Sequence, residues 1–302
     1  MCGIVGLFLK DPALEPQLGA LLAAMLVTMT DRGPDSAGLA IYGPPTPGQS
    51  KITVQSARPE ADFPELEPRL AEVSGGSARV AVKSSHAVIT VATDRLAATR
   101  RALKGLSPDL RVMGAGESVE IYKEVGLPKD VVARFGIAGM SGTHGIGHTR
   151  MATESAVTTM GAHPFSTGAD QCLVHNGSLS NHNNLRRSLA RDGMEFETQN
   201  DSEVAAAYLT TAMAQGRDLG AALAGALADL DGFFTFVVGT KSGFGVLRDP
   251  IACKPAIMAE TERYVAFGSE YRALVGLPGI ESARIWEPEP ATVYFWDQRQ
   301  AA

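Results

Sequence analysis

The 302 residues are 45% hydrophobic and 20% charged, a globular balance that excludes a disordered chain. With 33 acidic against 27 basic side chains the net charge is −6, which offers nucleic acid or an anionic membrane no general attraction. No apolar run approaches the roughly 20 residues that span a bilayer. The first apolar stretch soon meets Lys10 and Asp11 without a basic leader, and so does not read as a signal peptide. Cys2, Cys172 and Cys253 are too few and too scattered for a disulfide framework or a zinc site. The expectation is a soluble, cytoplasmic protein with no metal.

In chain order, CGIVGLFL reads as a short buried strand, and LEPQLGALLAAMLVTMT as a helix ending near Asp31-Arg32-Gly33-Pro34. GLAIYG and ITVQSA read as further strands. From about residue 45 to 140 the pattern is less regular, with strand-like AVITVAT, helical DRLAATRRAL and a turn-rich VMGAGESVEIYKEVG. After residue 143 polar clusters stand at the ends of strand-like runs: HGIGHTRMAT, CLVHNGS and Asn200-Asp201. NHNNLRRSLARDG, SEVAAAYLTTAMAQG and LGAALAGALADLDG read as three helices. FFTFVVGTKSGFGVLRD reads as a hairpin, and PAIMAE, YVAFGS and ATVYFW as closing strands. Strands, then a helical block, then strands again fit two sheets between helices, an α+β fold.

Cys2 stands at the head of a buried strand, one residue from the terminus. Its bland reading is a small buried hydrophobe. A thiol reacts as thiolate, with an ordinary pKa near ~8.5, and needs a base. An α-amino group titrates near ~7.7–8.0, so removal of Met1 would give Cys2 a base a few bonds away. A nucleophile also needs donors where negative charge develops. Asn176 offers a side-chain amide and Gly177 an unobstructed N–H, although Asn-Gly is also a hairpin dipeptide. Arg150 can pair bidentately with a carboxylate. Asp201 can take an ammonium, or merely cap a helix that starts at Ser202. His163 and His175 are the candidates for a conventional Cys–His pair. Arg32, Gly33, Asp35 and Ser36 read as a structural loop near the pocket.

CGIVG, DRGPDSAG, HTRMAT, HPF, HNGSLSN, NDSEV, and RDP followed by GSE occur in the order found in class II glutamine amidotransferases. The chain resembles that family over nearly its whole length, except roughly residues 45–140. The resemblance implies one amidotransferase domain over 1–302 with an insertion at about 45–140, built as a four-layer αββα sandwich. It implies hydrolysis of L-glutamine to glutamate and ammonia through a thioester on Cys2. Arg150 would hold the α-carboxylate, Asp201 the α-amino group, and Asn176 with Gly177 the oxyanion. Thr153 and His163 would line the pocket. Two positions depart from the family: Met151 stands where many members carry Trp, and Glu154 where they often carry His.

The stand-alone length and the insertion look like the small subunits related to glutamate synthase. Examples are the amidotransferase component of methylamine–glutamate N-methyltransferase (N-methylglutamate synthase) and its GlxB-type relatives. That likeness implies a hetero-oligomer in which the partner subunits, not this chain, carry FMN and an iron–sulfur cluster. Two other readings compete. One is an N-terminal nucleophile hydrolase of another amide, against which the Arg150 and Asp201 pair argues. The other is a non-catalytic amino-acid-binding or structural subunit that retains Met1.

Overall fold

A computed structural model describes residues 2–152 and 156–298; Met1, Thr153 and Glu154 lie outside the described residues. The Gly3–Leu9 strand is buried along its whole length, because successive side chains enter different cores. Ile4 and Phe8 face one cluster, while Val5, Leu7 and Leu9 face another. This strand lies near the middle of a seven-stranded antiparallel sheet, between Tyr264–Gly268 and His144–Arg150. A five-stranded sheet has Gln171–Leu179, Gly232–Gly239 and Gly243–Arg248 at its centre.

The two sheets pack face to face through Ile4, Phe8, Ile146, Val174, Val237, Phe244 and Phe267. The outer face of the larger sheet is covered by the Leu18–Thr28 and Pro128–Phe135 helices. The outer face of the smaller one is covered by Asp201–Ala214 and Leu219–Asp229. The result is helix, sheet, sheet, helix: an α+β protein in the four expected layers.

Two segments differ from their sequence reading. The first helix starts late: Pro12–Gln17 is a 3-10 helix and the α-helix begins at Leu18. Pro16 lacks an N–H and disfavours helical geometry at Glu15. The turn-rich run is two strands, Leu110–Gly116 and Val119–Val125, which belong to different sheets. The corner between them forms around the buried Asp170 carboxylate, which accepts from the N–H groups of Glu117, Ser118 and Val119 at 2.7, 2.8 and 3.0 Å.

The irregular stretch therefore divides. Its first part, with Gln49–Ser56, Arg79–Lys83, His86–Ala92 and Leu110–Gly116, is a separate four-stranded sheet with its own core, backed by the Leu96–Leu106 helix. Its second part supplies an edge strand and a covering helix to the seven-stranded sheet. Arg79–Lys83 is a mostly exposed edge strand, so no hydrophobic alternation marks it. Among the described residues no helix is long and apolar enough to cross a membrane, and no cluster of ligands could hold a metal ion.

Candidate functional site

The head of the Gly3–Leu9 strand is tied down on both sides. Gly3 N–H donates to Thr149 Oγ1 at 3.2 Å, and Ile4 N–H to Ser269 Oγ at 2.9 Å. The Cys2 carbonyl accepts from Arg32 Nε at 3.0 Å and from Asn176 Nδ2 at 3.3 Å. Arg32 is in turn paired with Glu270 at 2.7 Å, and that bond, helped by the nearby Arg272, holds the Glu270 carboxyl below its ordinary range. The backbone that carries the half-buried Cys2 thiol is thus anchored by four hydrogen bonds to neighbouring elements.

The DRGPDSAG loop supplies that support and also shapes the far end of the neighbouring strand. Gly33 packs so closely on His144–Arg150 that a Cβ there would stand 2.5 Å from the Thr149 carbonyl carbon. Asp35 N–H donates to the Arg150 carbonyl at 3.1 Å, and its carboxylate accepts from Ala152 N–H at 2.8 Å. Arg150 is buried, and its Nη1 donates to the Ala156 carbonyl at 3.3 Å.

Asn176 and Gly177 do not form a hairpin turn. They lie inside the Gln171–Leu179 strand, paired with Thr235 and Phe234. Gly177 has φ +148°, and a Cβ there would stand 2.0 Å from the Phe233 carbonyl oxygen, so no other residue fits. Asp201 is not the helix cap: Asn200 is the N-cap, its side chain accepting from Ser202 N–H at 2.8 Å. Asp201 sits in the first turn, with Oδ2 accepting from Leu179 N–H at 2.9 Å.

Behind the cavity three histidines assemble around Ser202. The Ser202 hydroxyl is hydrogen-bonded to His163 Nε2 at 2.8 Å and to His175 Nδ1 at 2.9 Å. His148 stacks on His163 with centroids 4.1 Å apart, and its Nε2 donates to the His175 carbonyl at 3.1 Å. Burial holds all three below the ordinary histidine range, His148 at about 3. Near neutral pH they are uncharged, and His163 and His175 each spend a ring nitrogen on Ser202. That leaves no charged imidazole beside Cys2.

Cys2, Arg150, His163, Asn176, Gly177 and Asp201 line one cavity of about 280 Å³. Thr153, the seventh candidate, lies outside the described residues. Met151 also lines it, as do Ser202 and Lys254. Sequence reasoning passed over these last two. Ser202 carries the signal of an ordinary helix-start residue, and Lys254 follows RDP by a loop with no pattern of its own.

The cavity can therefore hold a small molecule against a thiol, an amide donor, a guanidinium and a carboxylate. Residues 148–276 match the family described as glutamine amidotransferase domain. The chain is 77% identical, over all 302 residues and the full length of both proteins, to the glutamine amidotransferase-like protein GlxB of Rhizobium meliloti. It is 34% identical over 159 residues to an amidophosphoribosyltransferase of Synechocystis, half of this chain and 32% of that one. The fold is similar to glutamine phosphoribosylpyrophosphate amidotransferase of B. subtilis, with a TM-score of 0.62 at 18% identity, covering 99% of this chain. This chain spans 48% of that enzyme's length. End-to-end likeness at 77% identity, on a fold whose cavity gathers these residues, places the chain in the GlxB-type family of glutamine amidotransferase-like proteins.

Proposed function

We propose that the protein is a glutaminase subunit that hydrolyses L-glutamine at Cys2 and supplies nitrogen to a partner synthase. The observation that carries this reading is the sharing of one cavity by Cys2, Asn176, Gly177, Arg150 and Asp201. Arg150 pairs with the substrate α-carboxylate and Asp201 with its α-ammonium. With Met1 removed, the Cys2 α-amine takes the thiol proton as Sγ attacks the amide carbon. Asn176 Nδ2 and Gly177 N–H receive the oxyanion. The amine returns the proton to the leaving nitrogen, ammonia departs, and a thioester remains. Water, deprotonated by the same amine, then releases glutamate and restores the thiol. The Ser202-bonded histidines support the amine as base, since burial makes both weak bases and each has a ring nitrogen engaged with Ser202.

The resemblance to the amidotransferase component of N-methylglutamate synthase supports a synthase complex of that kind as the partner. In this reading the chain works in the cytoplasm as part of a hetero-oligomer with glutamate-synthase-like subunits, and FMN and an iron–sulfur cluster belong to those partners. Ammonia release by the purified protein, with intact-mass measurement of its N-terminus, tests the proposal. Expected are loss of Met1 and glutamine-dependent ammonia that Cys2→Ala abolishes. Retention of Met1 in the native complex, or undiminished release from Cys2→Ala, would overturn it in favour of a non-catalytic subunit.

A further inference from the structure

The loop after the Gly243–Arg248 strand is built with unusual care. Arg248 is buried, and its Nη2 donates to the carbonyls of Ala252 at 2.8 Å and Lys254 at 3.1 Å, while Nη1 reaches Pro288 O at 2.7 Å. The fully buried Asp249 accepts at Oδ2 from the N–H groups of Ile251 and Ala252, at 2.9 and 3.3 Å. Between them Ala252 is held at φ +52°, a left-handed conformation that a residue with a Cβ adopts only when its surroundings impose it. The product of this clamp is the placement of Lys254, half-buried at the cavity wall with Nζ 5.0 Å from the centroid of the Phe233 ring.

Lys254 enters no ion pair among the described residues. The charged side chains among the described residues of the cavity wall are Arg150, Asp201 and Lys254. His163 and His175 face the same space uncharged, and Lys254 itself contributes to keeping His175 so. Among the described residues the wall thus carries two positive side chains and one negative. Glutamine is a zwitterion of net charge zero, matched by Arg150 and Asp201 alone. Lys254 is one charge more than this substrate needs.

We infer that Lys254 makes the cavity selective for net-anionic occupants, favouring the tetrahedral oxyanion and the glutamate product over neutral glutamine. The inference rests on the glutaminase reading. A unit charge on a half-buried wall separates a net-neutral from a net-anionic ligand by about tenfold after solvent screening. The Arg248 clamp holds the Lys254 carbonyl rather than its side chain, so methionine at this position keeps the loop in place.

The test compares two ligands in the full-length Cys2→Ala protein by calorimetry, with and without Lys254→Met. Expected is a roughly tenfold loss of glutamate affinity with glutamine affinity changed less than about threefold, and recovery of glutamate binding by Lys254→Arg. In the otherwise native protein, Lys254→Met lowers kcat about tenfold at nearly constant glutamine KM. Equal losses for both ligands, or none for glutamate, would overturn the role of Lys254 while leaving the glutaminase reading intact. A Cys2→Ala protein that binds neither ligand would instead bring down the glutaminase reading, and this inference with it.

Discussion

The Asn176 side-chain amide donates to the Cys2 carbonyl at 3.3 Å, joining two residues that are 174 positions apart in the chain. One comes from the end of the larger sheet and the other from mid-strand in the smaller, so the proposed reactive centre spans the seam between the two sheets. A donor fixed this way needs no reorganisation when charge appears beside the thiol. Asn176→Ala is expected to lower kcat for ammonia release by about 10²–10³-fold with little change in KM. Cys2 keeps its bond from Arg32, so the strand end stays in place. Steady-state kinetics check this, and a change confined to KM would contradict the donor role.

Arg150→Lys replaces a planar fork with a point charge at a site where Asp35 fixes the backbone at residue 150 and just after it. The expected outcome is a KM for glutamine raised about tenfold or more, with kcat reduced far less. An unchanged KM would remove Arg150 from carboxylate binding.

How much of this was visible in the sequence follows from where each residue's neighbours lie. Cys2 and Arg150 stood out because polar residues there end apolar strand runs, and a strand end is where a side chain can leave a core; Asn176-Gly177 stood out as a polar pair in an apolar run, although it lies mid-strand. Asp201 and Ser202 were harder, since helix starts favour the same residue types; only the cap bond from Ser202 to Asn200 separates the roles. The histidine cluster was illegible because His163, His175 and Ser202 belong to three segments and meet only in the folded protein. Lys123 was hidden for the same reason. It lies buried on a strand, and its Nζ donates to the carbonyls of Ala162 at 2.8 Å and Pro164 at 3.2 Å, on either side of His163. Nothing in the local sequence of a lysine reports three-dimensional partners of that kind.

Buried histidines also set the response to acid. Burial holds His86 and His144 at about 4, and His148 at about 3, against an ordinary value near ~6.5. Below that ordinary value the unfolded chain binds protons that the folded chain excludes, so stability is fully present above pH ~6.5 and lost as pH falls towards 4. Each such histidine costs about 1.4 kcal/mol per pH unit in that window. His86 lies away from the cavity, edge-on to Phe135 at 4.7 Å. Urea midpoints measured from pH 7 to 5 are expected to fall, and His86→Phe to reduce that fall by about 2 kcal/mol. A midpoint independent of pH would contradict the neutral assignment.

Gly177 and Gly232 form a matched pair that separates stability from chemistry. Each has a left-handed φ, +148° and +140°, and a Cβ on either would stand about as close to a carbonyl oxygen of the facing strand, 2.0 Å from Phe233 O and 2.1 Å from Ser178 O. Gly177→Ala and Gly232→Ala are therefore both expected to destabilise the fold by about 2–4 kcal/mol, through the same clash and the same backbone strain. Only Gly177 lines the cavity. Displacing its backbone moves the proposed oxyanion donor, whereas displacing Gly232 moves a residue paired with Leu179, one position beyond Ser178. Denaturant titration should give similar losses for the two variants. Ammonia release, normalised to the folded fraction, should fall at least about a hundredfold in Gly177→Ala and stay within a few-fold of wild type in Gly232→Ala. Equal activities in the two folded fractions would mean that the Gly177 N–H has no part in the reaction and that its glycine serves the strand alone.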